Sequence, residues 1–421
     1  MAYFDQLMLS ENSFLDDCVI GTYLFETDEK DAYKKAAAMA SEQSTGTWLR
    51  VPGEDADMLA KYEGKVVNVF EIPDIENVND RTSEMRTLII QLAFPWNNFG
   101  AQMPMLFTTV FGNISGMGKI KLLDIHFPKE CANQYPGPKF GIKGLRKLLG
   151  VEKRPLLNNM IKPSTGIPPE KSAELLYNAA VGGADIMKDD EVMGDRDFSP
   201  ALKRLEACMK AIKRVEEETG EKKLYCLNIT DDADRCIKKA HDAIDAGANA
   251  LMVNYLTLGF GTMCALARDK KINVPILAHL DHGGAFYGSP WHGMSSNLIY
   301  GKLARLSGID MLAIPTPYGK FALSHEKYMK IILGLRSKFH DVKPTFPLTG
   351  GAIKQPHLPQ FIEELGYDFI IGAGGAIHGH PMGSTAGSKS FRQGLDLMMT
   401  EGNLDRASEF PELKVAMEKW G

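Results

Sequence analysis

From residue 156 onward the sequence repeats one unit: a short β-rich apolar run, a polar or glycine-containing turn, then a helix of 3.6-residue period. The eight predicted strand ends fall at Lys162 (LLNNMIKP), Lys188 (ADIMKDDE), Asn228 (KLYCLNIT), Asn254 (ALMVNYL), His279 (VPILAHL), Ile314 (IDMLAIPT), Thr349 (TFPLTGG) and Gly372 (YDFIIGAGG). Helical patterns follow, among them PEKSAELLYNAAVGG, PALKRLEACMKAIKRVEEETG, SNLIYGKLARLSG and LPQFIEELG, several ending in the glycine that stops a helix. The strands are almost wholly apolar, as parallel strands covered on both faces are. Eight β–α units in series predict a closed parallel (β/α)8 barrel of the TIM type, with helices outside. A doubly wound open sheet is the competing reading. It is disfavoured because eight strands in one series is the barrel number and no G-x-G-x-x-G follows the first strand.

The first 140 or so residues have a different grammar. Strand-like CVIGTYLFE precedes helical DAYKKAAAMASEQ, and strand-like KVVNVFEI, RTLIIQLAF and KIKLLDIHF follow. This predicts an N-terminal α+β domain of ferredoxin-like type. The boundary falls in the Pro- and Gly-rich CANQYPGPKFG, giving domains 1–138 and 139–421. With 48 basic and 53 acidic side chains the net charge is −5, which gives no electrostatic case for nucleic acid. No apolar run reaches the ~18 residues that span a membrane. The acidic start MAYFDQLMLSENSFLDD lacks the features of a signal peptide, and the six scattered cysteines form no C-x-x-C pair. A cytoplasmic protein without nucleic-acid or membrane partners is the expectation.

In such a barrel the active site lies at the C-terminal ends of the strands. The second strand ends in Lys188-Asp189-Asp190-Glu191. Strand alternation puts Lys188 and Asp190 on one face, and Glu191 sits where the strand turns into its loop. Two carboxylates at a barrel mouth suit a hard cation such as Mg²⁺. An ammonium there would repel the ion, but its neutral amine can add CO₂ to become a carbamate, an anionic oxygen ligand. The bland alternative is a solvated charge run, which the position at a strand end disfavours. Lys162, at the end of the first strand, either points into the mouth and shuttles protons or snorkels to solvent. The glycine turns Thr349-Gly350-Gly351 and Gly374-Gly375 follow strands seven and eight, the recurrent phosphate site of this fold. Each alone would pass for an ordinary tight turn. His279 reads as a substrate contact rather than a zinc ligand with His282, for want of a third ligand. His378 and His380 read as loop structure. Lys320, after Tyr318-Gly319, is either a lid cation or solvated.

GGADIMKDDE, the IKP of strand one, SEQSTGTW at 41–48, GNISGMGKIKLLDIHFP and GAGGAIHGHPMG together resemble the large subunit of ribulose-bisphosphate carboxylase/oxygenase (RuBisCO), in order and over nearly the whole chain. The resemblance implies an N-terminal α+β domain joined to a β/α barrel. By it, Lys188 is the carbamylated lysine, with Asp190 and Glu191 as partner Mg²⁺ ligands. Lys162 is the proton-moving lysine, and Lys320 is the loop-six lysine with Glu42 as its pairing residue across a dimer. Asn113 is the N-domain asparagine near the metal, and His279 is a substrate-contacting histidine. Thr349, in place of the family serine, and Gly350, Gly351, Gly374 and Gly375 fall on phosphate-binding positions. A homodimer with shared active sites follows as the minimum unit. The departures are specific. The family's second Lys-Pro-Lys lysine is Ser164; the arginine after the strand-five histidine is missing, with Leu280 and Asp281 in its place; the strand-six histidine is replaced near Ala313. The sequence therefore resembles a RuBisCO-like protein of the form IV group.

What remains implies an Mg²⁺-dependent lyase or isomerase that forms an enediolate on a phosphorylated keto-sugar or keto-sugar acid. The first expectation is decarboxylation of a phosphorylated 3-oxo sugar acid, which needs no initial proton abstraction. The alternatives are the 2,3-diketo-5-methylthiopentyl-1-phosphate enolase of methionine salvage or a related isomerase, true carboxylase activity, and a non-catalytic binding barrel. The enolase pattern carries a lysine base at the position of Asn113, and an amide cannot abstract a proton.

Overall fold

The structure, a computed structural model, describes residues 16–46, 51–321 and 323–421. These divide into two units. One comprises the chain up to Pro136 with His282–Ser307 and His340–Val342; the other comprises Gly137–Asp281, Gly308–Phe339 and Lys343–Gly421.

In the first unit, β1 (Cys18–Thr27), the helix Ala32–Glu42, β2 (Lys65–Ile72), β3 (Arg86–Pro95), the helix Met103–Phe111 and β4 (Lys119–His126) follow one another. The sheet order is β10-β4-β1-β3-β2, where β10 is the two-residue strand Gly293–Met294, parallel to β4. This is the β-α-β-β-α-β arrangement expected of a ferredoxin-like domain. Period-two burial on β1 sinks Val19, Tyr23 and Phe25 beneath the helices. Asp31 starts the first helix by accepting from the Lys34 N–H. The segment SNLIYGKLARLS (296–307), read from the sequence as a helix after the fifth barrel strand, belongs to this unit, as a π-helical turn Leu298–Lys302 running into the helix Leu303–Leu306. Lys302 ties it to Asp124 on β4 at 2.9 Å.

The second unit is the closed barrel. Its strands are β5 (Leu156–Met160), β6 (Ile186–Lys188), β7 (Leu224–Asn228), β8 (Ala250–Val253), β9 (Ile276–Ala278), β11 (Met311–Pro315), β12 (Phe346–Gly350) and β13 (Ile370–Ala373), all parallel. Leu156, Ile186, Cys226, Met252, Leu277, Ala313, Leu348 and Ile370 point inward and form one core. Alternation then fixes what reaches the mouth: two residues beyond Ile186 and Leu277, Lys188 and His279 also point inward. At the opposite end, buried Asp310 accepts from the N–H groups of Phe140, Gly141 and Ile276 at 2.7, 3.0 and 3.1 Å. The strands end within two residues of the sequence expectation. The largest difference is β5, which stops at Met160 because its last ladder partner is Lys188, where β6 ends. No helix among the described residues is long and apolar enough to cross a membrane.

Candidate active site

Strand β6 ends on Lys188, whose side chain is fully buried. Its Nζ donates to the Asp189 carbonyl at 2.8 Å, meets Met252 Sδ at 3.7 Å, and lies 3.6 Å from Glu191 Oε2. Burial pulls its pKa below the ordinary lysine value, against the opposing pull of Glu191 and Asp190. The two aspartates that follow part company. Asp189 accepts from Tyr225 Oη at 2.6 Å, Arg204 Nε at 3.1 Å and the Asn228 N–H at 3.0 Å, so all its capacity is spent inside the protein. Asp190, buried, takes a hydrogen bond from Lys162 Nζ. Glu191 Oε2 stands 3.3 Å from His279 Nε2. Burial pushes the Glu191 carboxyl up, but His279 and Lys188 outweigh it and the net shift is downward. His279 Nδ1 is 3.0 Å from Asp281 Oδ1, a contact that orients the ring with Nε2 toward Glu191. Lys162, Lys188, Asp190, Glu191 and His279 are thus brought together.

The strand-end asparagines, to which the sequence assigned no role, hold the Glu191 backbone: Asn254 Nδ2 and Asn228 Nδ2 donate to its carbonyl at 2.9 and 3.3 Å. Asn158, inward-facing on β5 and fully buried, has no hydrogen-bond partner for either amide atom among the described residues. Asn159, its neighbour on β5, is equally buried and has no hydrogen-bond partner for its amide atoms among the described residues either, and this pair of amides in an apolar barrel strand is the signal the sequence carried.

Lys162 lies in the turn after β5, also bonded to Ser164 Oγ at 2.8 Å. Gly374 packs against it: a Cβ there would lie 3.4 Å from Lys162 Cε and 3.2 Å from the Met160 carbonyl. Gly351 has φ +94°, which favours glycine. Gly350 and Gly375 leave their backbone uncovered by side chains of their own, Gly375 with open space where a Cβ would be. The Thr349 hydroxyl donates to the Ile370 carbonyl at 3.2 Å, so the donor this residue has left for an anion is its backbone N–H. Lys320 stands apart from the cluster, its Nζ 4.7 Å from the Phe321 ring centroid. Glu42 and Asn113 lie in the first unit, where Asn113 Nδ2 donates to Glu42 Oε1 at 3.0 Å. Thr47 and Trp48 of the 41–48 motif fall outside the described residues. His282 belongs to the first unit, its ring edge-on to Phe286. His380 Nε2 contacts the Glu412 carbonyl at 3.0 Å. His378 Nδ1 contacts Ser384 Oγ at 3.1 Å, and burial with the nearby Lys162 charge pulls its pKa down to about 4.

The donor set fits a hard cation on one condition. Among the described residues no group of three His, Cys, Asp or Glu side chains could hold a metal ion. Asp190 and Glu191 supply two oxygen arms, and the third position is the buried amine of Lys188. A buried ammonium with no carboxylate at hydrogen-bond distance is costly. A carbamate there would supply the missing oxygens and an anion for the cation to balance.

The description "Ribulose bisphosphate carboxylase large chain, catalytic domain" matches residues 141–420, and its N-terminal-domain counterpart matches residues 10–131. The chain belongs to the RuBisCO large-chain family. Within that family its likeness is to the RuBisCO-like, form IV proteins. It is 47% identical over 91% of its length to a ribulose bisphosphate carboxylase-like protein of Archaeoglobus fulgidus, covering 88% of that protein. It is 36% identical to the 2,3-diketo-5-methylthiopentyl-1-phosphate enolase of Geobacillus kaustophilus, over 96% of this chain and 98% of the enolase. The octameric RuBisCO of Pyrococcus horikoshii superposes with a TM-score of 0.90 at 30% identity, over 99% of this chain and 96% of that one.

Proposed function

We propose that this RuBisCO-like protein is an Mg²⁺-dependent enzyme that forms an enediolate on a phosphorylated keto-sugar acid, and that it does so by decarboxylation. The reading is carried by the convergence of Lys162, Asp190, Glu191 and His279 around the buried amine of Lys188. Neutral Lys188 adds CO₂ and releases a proton; with Asp190 and Glu191 it would hold the ion. When bound, the ion polarises the substrate carbonyl and its neighbouring oxygen. In a 3-oxo acid the C–C bond to the carboxylate breaks, CO₂ leaves, and the electron pair moves onto the former carbonyl oxygen. The Lys162 ammonium, oriented by Asp190 and Ser164, then delivers a proton to the carbon. The backbone at Gly350, Gly351, Gly374 and Gly375 receives the phosphate. Glu42 and Asn113 complete the site of a second copy, so a homodimer is the minimum unit. Copies of the Pyrococcus horikoshii relative assemble as an octamer, in keeping with this.

The test is purified protein with Mg²⁺, bicarbonate and a phosphorylated 3-oxo sugar acid. CO₂ release that disappears in Lys188→Ala is expected. No release, together with turnover of 2,3-diketo-5-methylthiopentyl 1-phosphate, overturns the reading in favour of the second one, enolisation. That second reading is favoured by the enolase relative and opposed by Asn113, whose amide is no base. Carboxylase activity is disfavoured by Leu280, Asp281 and Ala313 at substrate-clamping positions, and labelled CO₂ entering a ribulose bisphosphate product would restore it. A non-catalytic barrel would have little reason to keep Lys188, Asp190 and Glu191 together.

A further inference from the structure

Loop six leaves β11 at Pro315 and reaches the helix His325–Arg336. Two contacts hold its middle. The Tyr318 hydroxyl donates to Glu364 Oε1 on the helix Leu358–Leu365, and its ring meets Phe361 of that helix edge-on at 5.7 Å. One residue on, Gly319 lies so close to the strand-seven turn that a Cβ there would come within 2.1 Å of the Gly351 carbonyl oxygen. The same Glu364 oxygen gathers His325 Nε2 at 3.3 Å and Gln360 Nε2 at 3.4 Å, while Oε2 is buried without a hydrogen-bond partner among the described residues. Burial and the neighbouring carboxylate push the Tyr318 phenol up to about 12, so it remains a donor through the neutral range. A carboxylate this far out of water, with one oxygen unsatisfied, depends on the groups that gather at the other.

We propose that Tyr318 and Glu364 form a latch that holds loop six down on the strand-seven glycine turn, making both of them positioning residues for anion binding at that turn. The anion part rests on the reading of Gly350 and Gly351 as phosphate-binding. Pinned by Tyr318 on one side and by the Gly319–Gly351 contact on the other, the loop keeps the Lys320 backbone beside the turn, its N 3.7 Å from where a Gly351 Cβ would lie, while the Lys320 side chain is exposed. Neither Tyr318 nor Glu364 touches the Lys188 cluster, so the latch acts through the loop alone.

The experiment uses the full-length protein and inorganic phosphate as the probe. Amide hydrogen exchange over residues 316–321 is compared in wild type, Tyr318→Phe, Glu364→Gln and Gly319→Ala, with melting temperature as the check on folding. Tyr318→Phe and Glu364→Gln are expected to speed exchange in that loop about tenfold, the factor that loss of one hydrogen bond to a charged group implies, and to weaken phosphate binding by a similar factor. Gly319→Ala, which cannot keep the close approach to Gly351, should reproduce both effects without touching the hydroxyl. Unchanged loop exchange in Tyr318→Phe overturns the latch. Faster exchange with unchanged phosphate affinity overturns its role in anion binding. If the wild type binds no phosphate, the reading of the glycine turns fails while the exchange data still decide the latch.

Discussion

Asp189 and Asp190 are chemically identical neighbours with opposite duties. Among the described residues Asp189 is the carboxylate paired with Arg204, whose guanidinium is fully buried and 3.0 Å from Asp189 Oδ2. Asp189→Ala would strand that charge, and breaking one side of a buried pair costs about 3–5 kcal/mol. Urea unfolding should show a loss of that order. Asp190→Ala should cost less unfolding free energy than Asp189→Ala, because its partner Lys162 is 37% exposed and water can take up the ammonium that is left, whereas Arg204 is fully buried, while abolishing turnover. Equal destabilisation by the two would refute the division of labour. His378 makes a pH prediction. Its folded pKa is about 4 against an ordinary 6.5, so between those values the unfolded chain binds the proton and the folded one does not. Stability from this group is therefore full above pH 6.5 and falls as pH drops toward 4, by about 3 kcal/mol. In His378→Gln the slope of unfolding free energy against pH over that window should be shallower, and an unaltered slope would count against the assignment.

At the scale of elements, the barrel was legible because each strand carries its own signal: an apolar run, a turn and a periodic helix. Alternation gave Lys188 and Asp190 a common face and strand-end position singled out His279, and in the structure Lys188 and His279 are both buried, two residues beyond the inward-facing Ile186 and Leu277. Contacts between distant positions were not legible. Nothing near Asp189 announces Arg204 or Tyr225, and nothing in loop six announces Glu364, 46 residues beyond Tyr318. The strand register that ends β5 at Met160 depends on where its neighbour ends, which local sequence does not encode. Asp310 is a further case. A lone aspartate before an apolar strand reads as a turn residue, yet it draws two backbone N–H groups at the start of the helix Gly141–Leu149 and one from β9 onto a single buried carboxyl group. Asp310→Ala leaves three buried donors without an acceptor, each worth about 1 kcal/mol or more. A loss of about 3 kcal/mol in unfolding free energy is expected, with amide exchange rising first at Phe140, Gly141 and Ile276; protection unchanged at those three amides would show that the aspartate is not the staple it looks like.

The whole molecule poses the question of where a complete active site resides. The barrel holds the metal-ligand candidates Lys188, Asp190 and Glu191, whereas Glu42 and Asn113 are paired with each other in the first unit. If a second copy supplies the latter pair, a lesion in the barrel and a lesion in the first unit destroy different halves of the same composite site. Lys188→Ala protein and Asn113→Ala protein, each inactive alone, should then regain activity when unfolded together and refolded as a mixture. Random pairing makes half of the dimers mixed. In each mixed dimer one of the two sites receives both wild-type halves, while the other receives both lesions, so recovery should approach about a quarter of the wild-type rate. Two Lys188→Ala and Asp190→Ala proteins, both damaged in the barrel, should show no recovery under the same treatment. Failure of the first mixture, with dimers verified by sedimentation, would mean that each chain completes its own site and that the Glu42–Asn113 pair serves the copy that carries it.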